Sequence, residues 1–291
     1  PQPAVAPDRF ENIGSIKNTG IEFSMDAQLI NRPDRNWSAG LVFSRDRNEV
    51  VNIGRPFIIT GRISGPGQSN APSQRIIPGQ PLGTFFGPQY VGVDGQGRQL
   101  FNRYTVTRDA NGNETDRTLN GTTLAPGGDD FVIIGDANPN FNLGLRSQGN
   151  MGPFDMSVQV NSMQGMDVLN TTALVYATKT SARQGKNFLR SALDDGVAST
   201  EPAIYSDRWI EDGSFVRLQN ITVGYTFNLP SFTGTARGTR VFLSGDNLAV
   251  MTSYTGYDPE VHTDAGLATR GMDYLHYPRP RTITMGARVA F

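Results

Sequence analysis

Between Ile21 and Ile30 apolar and polar residues alternate without an error: Ile21, Phe23, Met25, Ala27 and Leu29 against Glu22, Ser24, Asp26 and Gln28. No helix of period 3.6 produces that order, whereas a strand with two unlike faces requires it. After Asn31-Arg32-Pro33-Asp34, which has turn chemistry, the rhythm resumes with Trp37, Ala39, Leu41 and Phe43 against Ser38, Gly40 and Ser44, Val42 being the exception. The two runs predict an antiparallel hairpin. The same signature returns at Phe141 to Leu145, Phe154 to Val160, Ile221 to Phe227, more weakly at Val241 to Leu243, and finally at Ile283, Met285, Ala287, Val289 and Phe291. Val216 and Leu218 have the opposite parity to Ile221, so a bulge is expected near Gln219.

Such alternation fits two environments. In a soluble sandwich the apolar face meets a second sheet; in a transmembrane barrel it meets lipid, and the polar face meets a wet lumen. Strand length favours the barrel, because the first and last runs have the length of about 9–11 residues that a tilted strand needs to cross a bilayer. Connections favour it further. Tight turns (31–36, 149–153 and about 228–239) alternate with long excursions (about 54–140, 165–214 and 250–281), the layout of an outer-membrane barrel and an unusual one for a compact soluble domain. The expected fold is therefore all-β, an antiparallel transmembrane β-barrel wall with long loops. Within the excursions, Ile53–Gln80 is rich in Gly, Pro and Ser and reads as irregular. Pro81–Val93 is aromatic and β-like, and Asn170–Asp195 has the content of one or two short helices broken at Gly185.

Composition removes several classes. With 26 Lys and Arg against 27 Asp and Glu, nothing points to nucleic acid or to a polybasic membrane-surface protein. The longest apolar run, Ala173–Ala177, is far short of the about 20 residues of a membrane-spanning helix. There is no Cys, hence no disulfide, thiolate chemistry or cysteine zinc site. The opening PQPAVAP has neither the basic nor the apolar part of a signal peptide and reads as a processed or excised start.

Candidate chemistry is sparse. His262 and His276 are too far apart in sequence to suggest a metal pair. Asp109, Asn111 and Asn113 imitate the first ligands of a calcium loop, but Glu114 stands where the turn Gly belongs and Asn120 where the bidentate Glu belongs, so a polar turn at a hairpin tip is expected. The carboxylate pairs Asp129–Asp130, Asp194–Asp195 and Glu211–Asp212 are adjacent, and on a strand neighbours point to opposite faces rather than flanking one bond. No phosphate loop, dinucleotide fingerprint or nucleophile elbow occurs, so neither enzymatic activity nor a cofactor is expected. Trp209, Tyr254, Tyr257, Tyr274 and Tyr277 read first as an interfacial aromatic girdle. Their alternative role, for Trp209, Tyr254 and Tyr257 above all, is contact with a substrate or partner through ring stacking.

Six blocks carry a family resemblance: NIGSIKNTGIEFSMDAQLI from Asn12, PGQPLGTFFG from Pro78, GDANPNF from Gly135, SDRWIEDGSFVRLQNITVGYTF from Ser206, VFLSGDNLAVMTSYTGYDPEV from Val241 and YPRPRTITMGARVAF from Tyr277. In order and spacing they resemble the C-terminal third of SusC/RagA-type TonB-dependent outer-membrane transporters. The resemblance implies a plugged barrel of about 22 strands, of which residues 1–291 supply about the last eight to ten. It also implies uptake of oligosaccharides, peptides or similar large nutrients, a SusD-like lipoprotein cap, and the TonB complex acting on a plug that this chain lacks. In that setting Ile21, Phe23, Met25, Ala27 and Leu29 are expected to face outer-membrane lipid, with Glu22, Asp26 and Gln28 facing the lumen. Ile283, Met285, Ala287, Val289 and Phe291 resemble the signal read by the barrel-assembly machinery. One departure is Thr118–Asp130 (TLNGTTLAPGGDD), which replaces the acidic stretch common before GDANP. The rivals are a self-contained small barrel used as anchor or adhesin, closed by pairing 21–30 with 282–291, and a soluble β-sandwich binding module. The expectation is that 21–30 has an open edge, completed by the remainder of the barrel.

Overall fold

The computed structural model describes residues 12–63, 65, 67–68, 71–227, 238–261 and 270–290. The first described elements are a hairpin of two 18-residue strands, β1 (Ser15–Arg32) and β2 (Arg35–Asn52), joined by Pro33-Asp34 alone. Both strands outrun the alternating stretch that announced them. Their far ends, Lys17 to Thr19 and Arg45 to Glu49, are polar on both faces, yet pairing continues to Ser15 and Asn52. A bulge between Gln28 and Ile30 sets Ile30 opposite Trp37.

The first excursion holds β3 (Ile58–Arg62), β4 (Pro72–Ile76), β5 (Thr84–Pro88), β6 (Tyr90–Val93), β7 (Gln99–Arg108), β8 (Glu114–Thr123) and β9 (Phe131–Asp136). The irregular reading of Ile53–Gln80 is thus corrected: β3 and β4 pair there, with Gly61 at φ +63° between Thr60 and Arg62. Local composition disfavoured strand at that point, and pairing of β4 to β5, itself paired to β9, overrides it. The chain then returns as β10 (Phe141–Met151) and β11 (Phe154–Gln164), joined by Gly152-Pro153 with Gly152 at φ +57°. A two-residue hairpin loop commonly needs positive φ at its first position, which Gly supplies without strain.

The second excursion contains β12 (Asp167–Asn170), α1 (Thr171–Tyr176) and β13 (Ile210–Asp212). Asn170 caps α1 by accepting the Ala173 N–H at 2.8 Å, and Gly185 at φ +68° ends the following short helical turn at Lys179–Gln184. The last hairpin is β14 (Phe215–Phe227) and β15 (Gly238–Thr252), followed by β16 (Met272–Asp273) and β17 (Thr282–Ala290). The register of β14 shifts at Gln219 against β15, between Leu218 and Asn220, so the parity change read from the sequence is a real bulge.

Seven strands form one antiparallel sheet in the order β1-β2-β10-β11-β14-β15-β17. β1 and β17 lie at its opposite edges, and among the described residues they do not pair with each other. The main hydrophobic core is not on this sheet. It lies in the excursions, where Ile63, Phe85, Leu169, Leu174, Trp209 and Met272 pack together from all three of them. The apolar face of the sheet is bare instead: Ile21 is 68% exposed, Ile283 73% and Met285 79%.

Candidate functional site: the polar face of the wall

Strand parity puts Glu22, Ser24 and Asp26 on one face of β1, and the register carries that face across the sheet through Gly40, Arg146, Gln159, Thr222 and Ser244 to Thr284. Two ion pairs on it have the same construction. Asp26 on β1 reaches Arg146 on β10 (Oδ1–Nη2 2.7 Å) across Gly40 on the intervening β2. Asp155 on β11 takes a bidentate contact from Arg240 on β15 (Nε–Oδ1 2.8 Å) across Gly224 on β14. In each case the bridge uses the space over a Gly: a Cβ at Gly40 would stand 2.6 Å from Asp26 Oδ1, and one at Gly224 2.5 Å from Asp155 Oδ1, so a side chain there would push the ion pair aside. Toward the loop end, Asn220 donates to Ser244 Oγ and Asp246 Oδ1, and the Thr222 and Ser244 hydroxyls meet at 2.8 Å. Gln28 leaves this pattern, since its amide folds onto the bulge and donates to the Ile30 and Trp37 carbonyls.

The same face carries a buried charge. Arg217 on β14 is 1% exposed and Asp258, from the last excursion, 4%. Arg217 Nη2 bonds Asp258 Oδ1 at 2.6 Å, and Nη1 donates to Asn247 Oδ1 at 2.5 Å. Glu260 extends the set, lying 3.5 Å from Arg217 and 2.9 Å from Arg279. Beneath this network a cleft of about 910 Å³ opens onto the wall, lined among others by Asp26, Arg146, Gln159, Asn161 and Arg217. Parity marks Arg217 as a polar-face residue; its partners come from another excursion and left no local signal.

On the apolar face, rings gather at the turn end. Phe154, Tyr225 and Phe227 form edge contacts at 4.7 and 4.6 Å, and Trp37 donates its indole N–H to Ser147 Oγ at 2.9 Å. At the loop end Phe43 stacks on Phe141 at 5.9 Å. The rings named from the sequence sit elsewhere. Trp209 is buried in the loop core, donating to the Ile204 carbonyl. Tyr254 is buried against Val168 and Val261, and its hydroxyl donates to Asp273 at 2.6 Å. Neither forms a girdle nor an open stacking surface, because packing has already consumed both faces; Tyr257 alone of the three is open, at 81%. Phe291 and His262 lie outside the described residues.

All members of the carboxylate pairs except the exposed Asp194 are committed structurally. Asp129 bridges Arg108, while Asp130 accepts the Tyr104 and Gly127 N–H groups. Glu211 accepts from Asn170 and Thr255, and Asp212 from Ser214. Asp195 binds Arg208 and Lys179; burial works against its charge, but hydrogen bonds from Arg208, the Val197 N–H and Lys179 hold the carboxyl below its ordinary range. Asp167 goes the other way, pushed up by burial. Asp109 accepts from Asn111 and Asn113 at the β7–β8 tip, a closed polar turn. No group of three or more His, Cys, Asp or Glu among the described residues could hold a metal.

No family model matches the chain. It is 31% identical over 310 residues to the TonB-dependent receptor P3 of Formosa agariphila, covering 100% of this chain and 30% of that protein. To the TonB-dependent receptor SusC of Bacteroides thetaiotaomicron it is 28% identical over 296 residues, covering 97% of this chain and 27% of SusC. Solved structures of the RagAB peptide transporter, and of the RagAB peptide importer in a closed-closed state, superpose with TM-scores of 0.71 and 0.72 at 22% identity, each over 97% of this chain and 30% of theirs. The chain thus spans about 30% of the length of these relatives. Sequence relatives along its whole length and an open antiparallel wall of the same fold lead to one conclusion: the chain is a partial TonB-dependent receptor of the SusC/RagA type.

Proposed function

We propose that this chain is the C-terminal part of the barrel wall of a TonB-dependent outer-membrane importer for large nutrients such as oligosaccharides or peptides. The observation that carries the reading is the unlike pair of faces on one open sheet. Each large apolar side chain left in water forgoes about 1.5–3 kcal/mol of burial, so a face as bare as that of β1 and β17 calls for an apolar surrounding. The opposite face is polar, cross-braced and hollowed by the cleft. On β2 the apolar face runs Trp37, Ala39, Leu41, Phe43 between Arg35 and Arg45. Ten residues at about 3.3 Å, tilted by about 40°, span about 25 Å, the height of a barrel's apolar band.

In this reading Ile21, Phe23, Met25, Ala27 and Leu29 face lipid, Glu22 and Asp26 face the lumen, and Ile283 to Phe291 serve as the assembly signal. The open edges at β1 and β17 join the remainder of the barrel, since an unpaired strand edge in hydrocarbon costs several kcal/mol per backbone group. The plug inside, a SusD-like lipoprotein over the loop layer and the TonB complex are the partners, and the wall's own part is passive. That RagAB is a peptide importer favours peptides as one cargo class.

Met25 pairs with Leu41, midway between Arg35 and Arg45. In the full-length receptor Met25→Lys should cost about 2–4 kcal/mol in the bilayer centre and deplete heat-modifiable barrel from the outer membrane. Asp26→Asn removes only an exposed ion pair, worth about 0–1 kcal/mol, and should assemble normally. Equal assembly of both variants would sink the lipid-facing assignment. Undiminished uptake of peptides and oligosaccharides after deletion of the receptor would sink the importer.

A further inference from the structure

The face that carries the apolar band does not end in neutral residues at the loop end. Register places Arg45 opposite Ile21, Arg47 opposite Thr19 and Glu49 opposite Lys17, all on the face of Phe23 and Leu41. Lys17, Arg45 and Arg47 are exposed, and none has an ion pair or side-chain hydrogen bond among the described residues. Same-face neighbours two apart on a strand lie about 7 Å apart, and diagonal cross-strand neighbours about 7–8 Å. Three cations therefore share one small patch with a single carboxylate, Glu49, which stands directly opposite Lys17, so the patch keeps an excess of two positive charges (three cations against one carboxylate). The turn end of the band is different: there Arg35 already has Asp34 at 3.7 Å.

Height decides what such a patch can meet. Arg45 stands two residues beyond Phe43, whose ring stacks on Phe141 at the rim of the apolar band. Arg45, opposite Ile21, thus stands at the rim of the hydrocarbon level, with Arg47 and Lys17 beyond it where lipid headgroups are, and all three lie on the face away from the polar side of the sheet. Guanidinium forks match phosphate oxygens in a bidentate geometry, and clustered cations at a membrane surface attract anionic lipid. We propose that Lys17, Arg45 and Arg47 form a docking site for the phosphorylated headgroup of an anionic lipid in the leaflet at the loop end. This rests on the reading of the apolar face as lipid-facing.

The test uses the full-length receptor in phosphatidylcholine nanodiscs doped with phosphorylated lipid A or with its dephosphorylated form, with retained lipid measured by native mass spectrometry. The receptor should retain the phosphorylated form selectively. Lys17→Gln, Arg45→Gln and Arg47→Gln should each weaken retention about fivefold, and the triple variant about a hundredfold, from about 1 kcal/mol per cation. Arg45→Lys with Arg47→Lys, which keeps the charge but not the bidentate forks, should weaken retention less than Arg45→Gln with Arg47→Gln, and Arg35→Gln should change nothing. Equal retention of both lipid forms, an unaffected triple variant, or full displacement of the lipid by millimolar inorganic phosphate would each overturn the proposal. Brominated acyl chains separate the two levels. The difference in quenching between wild type and Trp37→Phe reports whether the apolar face touches lipid. Quenching without headgroup selectivity refutes the docking site alone, whereas absent quenching refutes the lipid-facing reading beneath it.

Discussion

Arg217→Met should release the last excursion from the wall. The substitution keeps most of the side-chain volume and removes the guanidinium, leaving the Asp258 carboxylate 4% exposed, with the Glu260 N–H at 2.9 Å as its remaining hydrogen-bond donor among the described residues. Asn247 loses its donor as well. Breaking a buried pair by deleting one partner costs about 3–5 kcal/mol, because the survivor is a desolvated charge, whereas replacing both partners by apolar groups is often close to neutral. Opening of the segment around Tyr254–Val261 should become easier by that amount, and its amide exchange in the full-length receptor should accelerate by about two to four decades. Arg217→Met combined with Asp258→Leu should recover most of the protection. Arg108→Met, which breaks the exposed bridge to Asp129, is the control and should stay within about 1 kcal/mol. Exchange in the single variant within threefold of wild type, or a double variant as labile as the single, would refute the assignment of Arg217 as a buried anchor.

Gly224→Val should displace the Asp155–Arg240 bridge and lower the melting temperature of the assembled receptor slightly, because the new Cβ would lie 2.5 Å from Asp155 Oδ1 and 2.6 Å from Arg240 Nε; both are ends of flexible side chains, so the cost should stay near the about 0–1 kcal/mol of a part-exposed ion pair, and Asp155→Ala alone should cost about as much. Acid should loosen the second excursion. The Asp195 carboxyl titrates lower in the folded protein than in the unfolded chain, so its bridges to Arg208 and Lys179 stabilise above the ordinary Asp value of about 3.9, and that contribution is lost as pH falls through the lowered folded value. Limited proteolysis of 179–208 should accelerate below about pH 4 in the wild type, and less steeply in Asp195→Asn; identical pH profiles would exclude Asp195 as the titrating group.

The wall was legible because each of its strands has faces in different solvents, which writes a period of two into the residues, and because a bulge such as that at Gln219 breaks the period visibly. The loop layer was not. β3 and β4 lie in Gly, Pro and Ser-rich sequence and are strands by virtue of their neighbours in space. Rings gave the clearest error: Trp209 and Tyr254 count as aromatics wherever they sit, and nothing local tells a buried ring from an interfacial one. The rings near the turns, Trp37, Phe154, Tyr225 and Phe227, were readable, since each holds the apolar parity within a few residues of a turn. Arg217 and Asp258 are 41 residues apart, and a contact at that separation leaves no periodic trace.

The two bridges that step over a glycine also record the alignment of the strands. If β2 slid by one residue against β1, Asp26 would face Ala39 or Leu41 and point to the side of the sheet away from Arg146. A slide by two would bring Ser38 or Val42 beneath the bridge, and either side chain would block the passage that Gly40 leaves open. The same holds for β14 beneath Asp155 and Arg240, where Thr222 or Thr226 would take the place of Gly224. Each salt link thus closes only when three successive strands are in step, so it marks the native register without having to enforce it.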